Sequence, residues 1–167
     1  MNKQEILNEI EKAKEHLANM KNMLKVCESE RWKPEEREEY WYLDFGLNIH
    51  TVKNFNYPSD IKAINVYNCF ETEEEAKQEA ENILIRRQLE NIARRLNKNE
   101  KIDWNNFAQD KYFLGIDYNK YLAMGVGLSC CNNIRTQGTV YCLNRNFKDV
   151  AIQEIGEERL KKYLRGE

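Results

Sequence analysis

The chain of 167 residues carries 26 basic and 28 acidic side chains, which gives a formal net charge of −2 and a sequence pI of about 5.9. With this balance, no global basic field would hold the protein on nucleic acid. The first residues are charged throughout, and no apolar run approaches the ~20 residues that a membrane-spanning helix needs. The five cysteines are odd in number and lack a framework spacing. We therefore expect reduced thiols, a cytoplasmic location and no contact with a membrane.

The first predicted element is a long helix over residues 1–31, where proline and glycine are absent. Apolar residues recur there at alternating spacings of four and three, at Ile6, Ile10, Ala13, Leu17, Met20, Leu24 and Cys27. This spacing is a heptad seam, and its narrow stripe suits a partner helix. We predict a coiled-coil-like helix that forms a homodimer through Ile10, Leu17 and Leu24. The alternative is a helical hairpin within one chain, and Pro34 ends the first helix in either case.

The stretch EEYWYLDFG, residues 38–46, predicts a strand whose side chains alternate between two faces. Trp41, Leu43 and Phe45 are uniformly apolar and are expected to face the core. Tyr40 and Tyr42 are expected on the opposite, half-exposed face, since their rings are amphipathic. There they would either cover the sheet or bind a ligand or partner, and both alternatives stay open.

A second stretch, DKYFLGIDY at residues 110–118, repeats this pattern with Tyr112 at the position of Trp41. Each stretch is followed by a segment that contains tyrosine and cysteine, Ile64–Phe70 in one case and Thr139–Leu143 in the other. A helix with a capping residue is expected after each of these segments. We interpret the pattern as a duplication in which each copy is a hairpin, a third strand and a helix.

The predicted fold class is α+β, with an N-terminal long helix followed by two similar strand–strand–strand–helix units that form a mostly antiparallel sheet. The two units span residues 39–97 and 110–165. Together they would make one α+β domain, residues 39–167, after the helical appendage of residues 1–31. The length of the chain fits one domain and one appendage.

The helix of the first unit is predicted over residues 73–97, which lack proline and glycine. Arg87 and Arg94 fall on one face of it, and basic residues near a helix C-terminus complement the helix dipole. The alternative is that this cluster binds phosphate or an acidic protein. Trp104, in the polar loop DWNNFAQD, either anchors that loop or stacks on a ligand. The candidate ligand- or partner-binding residues are therefore Tyr40, Tyr42, Arg87, Arg94 and Trp104.

The sequence lacks the usual signals of catalysis and metal binding. Its two imidazoles, His16 and His50, are expected to be structural or solvated. Cys130 and Cys131 are adjacent, so a strand would point them in opposite directions. No CxxC pair, paired-histidine spacing, phosphate-cradling glycine loop or HExxH motif occurs. We expect no metal and no cofactor, and we expect that the protein is not an enzyme.

Three runs of the chain, EEYWYLDFG, NCFETEEEAKQEA and DWNNFAQDKYFLGIDY, carry a resemblance to a known group of sequences. In these runs the chain resembles small uncharacterised proteins encoded by phages and prophages of low-GC Gram-positive bacteria. It departs from their pattern in the cysteine-rich run SCCNNIRTQG. The resemblance implies a phage or mobile-element origin and supplies no catalytic residue. Small phage accessory proteins are often antagonists of host defence that act by binding, which is an association and not a mechanism.

The expected function is that of a non-catalytic, phage-encoded accessory protein that binds and inhibits a host defence protein, as an anti-CRISPR does. One alternative is a protein that binds or sequesters a small phosphate-containing ligand such as a signalling nucleotide. Another is a nucleic-acid-binding accessory protein, which the net charge disfavours. The molecule that copurifies from host cells, whether protein, nucleotide or nucleic acid, would distinguish the three.

Overall fold

The computed structural model describes residues 32–98, 100–117 and 125–167. The chain divides into two compact units, Met1–Glu73 and Glu74–Glu167, and each is described by itself. The predicted coiled-coil helix, with Ile10, Leu17 and Leu24, lies outside the described residues, so dimerisation through it stays a prediction. The domain bounds proposed from the sequence repeat also stay predictions.

The described part of the first unit begins with a hairpin of two antiparallel strands, β1 (Glu39–Leu43) and β2 (Ile49–Lys53). The aromatic residues of β1 favour an extended backbone. Asp44 organises the turn, because its carboxylate accepts the backbone N–H of Gly46 at 2.8 Å and that of Asn48 at 2.9 Å. Aspartate at the start of a turn is favoured for this reason.

A short helix, α1 (Pro58–Asn65), follows the hairpin. Pro58 occupies the first helical position, where the missing N–H of proline leaves no helical hydrogen bond unmade. The carboxylate of Asp60 accepts the backbone N–H groups of Phe55 and Tyr57, each at 3.0 Å. Pro58 and Asp60 therefore start the helix six residues before Ile64. The hydrophobic pattern of this stretch did not predict a helix.

The backbone groups on the outer edge of β1 form hydrogen bonds with two residues that do not belong to a strand. Trp41 exchanges two backbone hydrogen bonds with Phe70, at 3.0 and 2.9 Å. Two residues further along the edge, the side-chain amide of Asn68 accepts the N–H of Leu43 at 2.9 Å and donates to its carbonyl at 2.6 Å. One bridged residue and one amide therefore stand where a third strand was expected.

The structure contradicts the predicted fold class, although its described part is α+β. The third strands are absent: in Ile64–Phe70 only Phe70 pairs with a strand, and in Thr139–Leu143 only Cys142 does. Two separate two-stranded antiparallel sheets take the place of one mostly antiparallel sheet. The physical reason is local, because α1 uses the start of the first segment and asparagine amides take over strand hydrogen bonds. In the second unit the amide oxygen of Asn97 accepts the Leu143 N–H at 2.8 Å.

Of Trp41, Leu43 and Phe45, which were expected in the core, only Leu43 is buried, at 7% exposed. Tyr40 is 2% exposed and belongs to the core, whereas Trp41 and Tyr42 are half-buried. Phe45, which was expected in the core, is wholly exposed because β1 ends at Leu43 and Phe45 lies in the turn. Tyr40 can be buried because its hydroxyl donates to Asp60 at 3.0 Å. A buried phenol needs such a partner, and this one lies twenty residues away in the sequence.

The second unit contains most of the helix α2 (Glu73–Asn97), the strands β3 (Lys111–Asp117) and β4 (Gly125–Cys131), and the helices α3 (Phe147–Ile155) and α4 (Glu157–Arg165). The two strands form an antiparallel hairpin. The helix predicted over residues 73–97 is confirmed. Among the described residues, none of these helices, nor α1, is both long and apolar enough to cross a membrane.

One hydrophobic core holds the second unit together. Its α2 face consists of Ile85, Leu89 and Ile92, at helical spacings of four and three. This face packs with buried residues of the hairpin, of the segment that follows it and of the last two helices, namely Leu114, Val126, Cys142, Phe147, Ala151, Ile155 and Leu160. Full burial of each large apolar side chain contributes roughly 1.5–3 kcal/mol. Gly156, at φ 97°, provides the positive backbone angle at which α3 ends and α4 begins.

Candidate ligand-binding groove

The second unit contains a groove of about 720 Å³. Its walls are the C-terminal half of α2, the loop over residues 100–104 and the segment over residues 135–141. The α2 positions that line it run from Arg86 to Asn97 at helical spacing. A volume of this size is within the ~300–1,000 Å³ that is typical of small-molecule sites.

The groove is cationic although the chain as a whole is not. Four basic side chains line it, Arg86, Arg94, Lys101 and Arg135, together with two acidic ones, Glu90 and Glu100. Four minus two gives a formal charge of +2, against −2 for the whole chain. The contrast shows that positive charge is concentrated at this site.

Most of this positive charge has no internal counter-ion. Arg86 pairs with Glu90 at 3.2 Å, one turn along α2. The charged groups of Arg94, Lys101 and Arg135 form no ion pair or hydrogen bond with any residue in the described ranges. Three cationic groups are therefore available to an anion that enters the groove.

An aromatic pair forms another part of the groove wall. The ring of Trp104 meets that of Tyr141 edge-on, with 5.0 Å between centroids and an angle of 85°. The Arg135 guanidinium lies 5.8 Å from the centre of the Trp104 ring. Such cation–π contacts hold a guanidinium in place without neutralising it. Arg135 is therefore oriented and still carries its charge.

Tyr141 also fixes the segment that carries Arg135. It is 8% exposed, and its hydroxyl accepts the backbone N–H of Thr136 at 2.8 Å. The same hydroxyl donates to the carbonyl of Ile134 at 3.5 Å. One buried side chain thus holds the backbone on either side of Arg135, so this part of the wall is structured before a ligand binds.

The structure brings two of the predicted site residues together. Arg94 and Trp104 both line the groove, and Arg87 does not. Arg87 lies on the same helical stripe as Arg94 but about 10 Å nearer the N-terminus of α2, since each residue rises 1.5 Å. It is exposed and lies outside the groove.

The two predicted tyrosines belong to the first unit and do not form part of this site. Burial, together with the hydrogen bond to Asp60, raises the pKa of Tyr40 well above its usual range. Tyr42 is half-buried and stacks on His50 with 5.3 Å between ring centres. Tyr40 is thus committed to the core, and a binding role for Tyr42 stays a prediction.

Sequence reasoning missed Lys101, Arg135 and Tyr141. Lys101 and Arg135 are exposed residues in loops, and nothing in the local pattern shows that the two loops meet. Tyr141 was predicted in a third strand and was not considered as a residue of the groove. The run SCCNNIRTQG, which departs from the phage-protein pattern, contains Arg135 and was the one available signal.

The described lining offers few groups for covalent chemistry. It contains no histidine and no cysteine, and Glu90 is engaged by Arg86. Burial raises the pKa of the Cys142 thiol, which holds it in the protonated, weakly nucleophilic form. No group of three or more histidine, cysteine or acidic residues that could hold a metal occurs in the described part of the chain.

The groove itself is the basis for a functional proposal. The features that bear on it are the net positive charge, the three unpaired cations and the aromatic wall. No protein-family model matches the chain, and neither a curated protein nor a solved structure matches it.

Proposed function

We propose that the chain is a non-catalytic binding protein whose groove holds a small phosphate-containing ligand such as a nucleotide. The observation that carries this proposal is the convergence of Arg94, Lys101 and Arg135, all without a described counter-ion, on one groove. Like charges placed together repel each other, and an anion between them removes that repulsion.

Phosphate suits these side chains better than a single carboxylate does. Two of the three unpaired cations are arginines, whose planar guanidinium groups can bond two phosphate oxygens at once. Lys101 adds a point charge. Trp104 and Tyr141 give the site apolar surface for a planar ring, such as a base. A nucleotide combines both chemical features and has a size that the groove can accommodate.

Binding without turnover is supported by the composition of the lining. A phosphotransferase or hydrolase needs a positioned base or a metal beside the phosphate. The described lining has no histidine, and its acidic residues are Glu90, paired with Arg86, and Glu100. A protein of this kind would sequester its ligand and release it unchanged. In a phage-encoded chain, sequestration of a host signalling nucleotide would be the corresponding cellular role.

The test is a titration of the full chain with a fluorescent ADP analogue. We expect Arg94→Gln and Arg135→Gln each to weaken binding about tenfold or more, since a charge-assisted hydrogen bond contributes roughly 1.5–3 kcal/mol. Arg87→Gln is the matched control, because Arg87 is on the same helix stripe but outside the groove.

Two results would contradict the proposal. One is that neither the analogue nor inorganic phosphate binds to the wild-type chain. The other is that Arg87→Gln weakens binding as much as Arg94→Gln does. Oligonucleotides form a further arm: an affinity that rises steadily with strand length would identify the ligand as nucleic acid instead.

A second candidate function is the inhibitor that binds a host defence protein. The observation that favours it is an exposed apolar cluster around α1, made of Phe55, Tyr57 and Ile61, which are 49%, 61% and 47% exposed. The Phe55 and Tyr57 rings are 5.8 Å apart, and Ile61 lies one turn beyond Tyr57. Grouped exposed apolar side chains are a common feature of protein-binding surfaces.

The inhibitor can be tested in host cells that carry an active defence system. Expression of the wild-type chain should raise phage survival, and Ile61→Lys should abolish that protection. Lys62→Gln, a neighbouring exposed substitution, serves as the control. Protection that persists in Ile61→Lys and disappears in Arg94→Gln would assign the activity to the groove instead.

A further inference from the structure

Lys111 is a buried cation that does not itself line the groove. It is the first residue of β3, and its side chain is 0% exposed. Its ammonium donates to three backbone carbonyls, those of Asn106 at 3.0 Å, Gln109 at 2.8 Å and Asn132 at 2.9 Å. It forms no ion pair within the described ranges. All three N–H groups of this ammonium are therefore used, which is what permits its burial.

The three carbonyls belong to two different loops. Asn106 and Gln109 lie in the loop between α2 and β3, the loop that also carries Trp104. Asn132 lies just after β4, three residues before Arg135. A second bond joins the same loops, since the Asn132 amide donates to the carbonyl of Phe107 at 3.1 Å. Lys111 therefore connects the two loops through hydrogen bonds.

The same ammonium contacts the aromatic wall of the groove. Its nitrogen lies 5.5 Å from the centre of the Trp104 ring, and the Arg135 guanidinium lies 5.8 Å from that ring. Both distances are within the range of a cation–π interaction. Trp104 is thus held by one cation that is buried and one that lines the groove.

We propose that Lys111 is a positioning residue for ligand binding: its ammonium holds the Trp104 loop and the Arg135 segment together and so keeps the groove in its binding geometry. This inference rests on the proposed phosphate-binding function. A buried strand position ordinarily favours an apolar side chain. An apolar residue here would remove the Lys111 donor from the carbonyls of Gln109 and Asn132, whereas the Asn106 carbonyl would keep the N–H of Gln109. The Asn132 amide would then be the remaining hydrogen bond between the two loops.

The experiment compares Lys111→Met with Lys162→Met, an exposed lysine of the same unit, in the full chain. Hydrogen–deuterium exchange is followed over residues 100–110 and 132–140, and affinity is measured with the fluorescent ADP analogue. For Lys111→Met we expect exchange in both loops to rise about tenfold or more, with α3 and α4 unchanged. Affinity for the analogue should fall about tenfold or more, since a loosened site has to be ordered on binding. Lys162→Met should change neither quantity.

Three outcomes would overturn the inference. Unchanged exchange in the two loops would show that Lys111 does not hold them. Loosened loops with unchanged affinity would show that their position does not matter for binding. A wild-type chain that binds no analogue would overturn the proposed function and the positioning role together, which separates that failure from the first two.

A measurement on the wild-type chain covers the case in which Lys111→Met does not fold. The side-chain ammonium of Lys111 can be observed by nitrogen-15 NMR. A buried, fully bonded ammonium should give a slowly exchanging signal, and saturation with the analogue should shift it because the ligand contacts Trp104. A signal that exchanges as fast as those of exposed lysines, or that does not move on saturation, would overturn the inference.

Discussion

Among the described residues, each of the two compact units buries one acidic or basic side chain beside a hairpin, and the two side chains have opposite charge. In the first unit Asp60, 3% exposed, accepts hydrogen bonds from the Tyr40 hydroxyl and from two backbone N–H groups. In the second unit Lys111, 0% exposed, donates to three backbone carbonyls. Tyr40 and Lys111 hold the same place in their strands, one residue before the position that is bridged to the segment after the hairpin.

The difference lies in what each buried group connects. Asp60 belongs to the first turn of α1, so its bond to Tyr40 joins a strand to the helix that follows. Lys111 joins two loops, and both of these loops contribute to the groove. Equivalent positions in similar hairpins can therefore support the fold in one unit and a proposed site in the other.

The largest expected effect is in the core of the first unit. Tyr40→Ala should lower the free energy of unfolding by about 3–5 kcal/mol, because it empties a buried aromatic site and leaves Asp60 without a donor. Trp41→Ala should cost distinctly less, since Trp41 is half-buried. Urea unfolding of both variants measures the difference, and an equal or larger loss for Trp41→Ala would contradict the assignment of Tyr40 to the core.

A somewhat smaller loss of stability is expected when Asp60 or Lys111 is replaced, and the two losses can be compared directly. Lys111→Met should destabilise by about 2–3 kcal/mol because carbonyls are left unsatisfied. Asp60→Asn should cost less, about 1–2 kcal/mol, since the amide keeps one acceptor oxygen for the backbone. Thermal and urea unfolding of both variants provide the values. If Asp60→Asn proves the more damaging, the first unit depends on its buried group more strongly than the second does.

At alkaline pH the stability of the chain should depend on the protonation of Tyr40 in the first unit. Its raised pKa means that the folded chain keeps the phenol proton at pH values where the unfolded chain has lost it. Stability therefore falls as pH rises above the ordinary tyrosine pKa of about 10, by at most about 1.4 kcal/mol per pH unit. Tyr40→Phe should remove this part of the slope. The measurement is urea unfolding of both proteins between pH 9 and 11, and identical slopes would contradict the buried phenol.

The smallest effect is expected at the turn of the first hairpin. Hydrogen bonds from Asn48, and the contact with His50, hold the pKa of Asp44 below its usual range. The stability that this carboxylate contributes is present above its ordinary pKa and is lost as pH falls below it. Because Asp44 is only half-buried and bonds within its own turn, the loss should be local, visible as shifted amide signals of Gly46 and Asn48 and absent in Asp44→Ala. Global unfolding over that range would contradict a local role.

The sequence was a sound guide to elements with strong periodicity. The helix over residues 73–97 and the strand character of β1 and β3 followed from their patterns. The third strand of the first unit was wrong, because Pro58 and Asp60 start a helix through local hydrogen bonds that a hydrophobic pattern does not contain. That of the second unit was wrong because only Cys142 pairs with β3, while the Leu143 N–H is bonded to the side chain of Asn97. The burial of Leu43 was predicted correctly, whereas that of Tyr40 was missed because it depends on Asp60, a partner distant in sequence.

The candidate site was predictable only in part. Arg94 and Trp104 were both singled out from the sequence, as a cation on a helix face and an aromatic in a polar loop. That they share a groove with Lys101 and Arg135 depends on how three segments come together. The burial of Lys111 was also out of reach, since lysine at the start of a strand ordinarily indicates an exposed end.

The amide of Asn68 has a consequence for self-association. A strand edge with unbonded N–H and carbonyl groups can act as a template on which another chain adds a strand, and aggregation follows from such addition. On the outer edge of β1 the backbone groups of Trp41 are bonded to Phe70, and those of Leu43 are bonded to Asn68. An incoming strand would have to displace both. One bridged residue and one side-chain amide thus protect these positions of the edge from intermolecular pairing without a further strand.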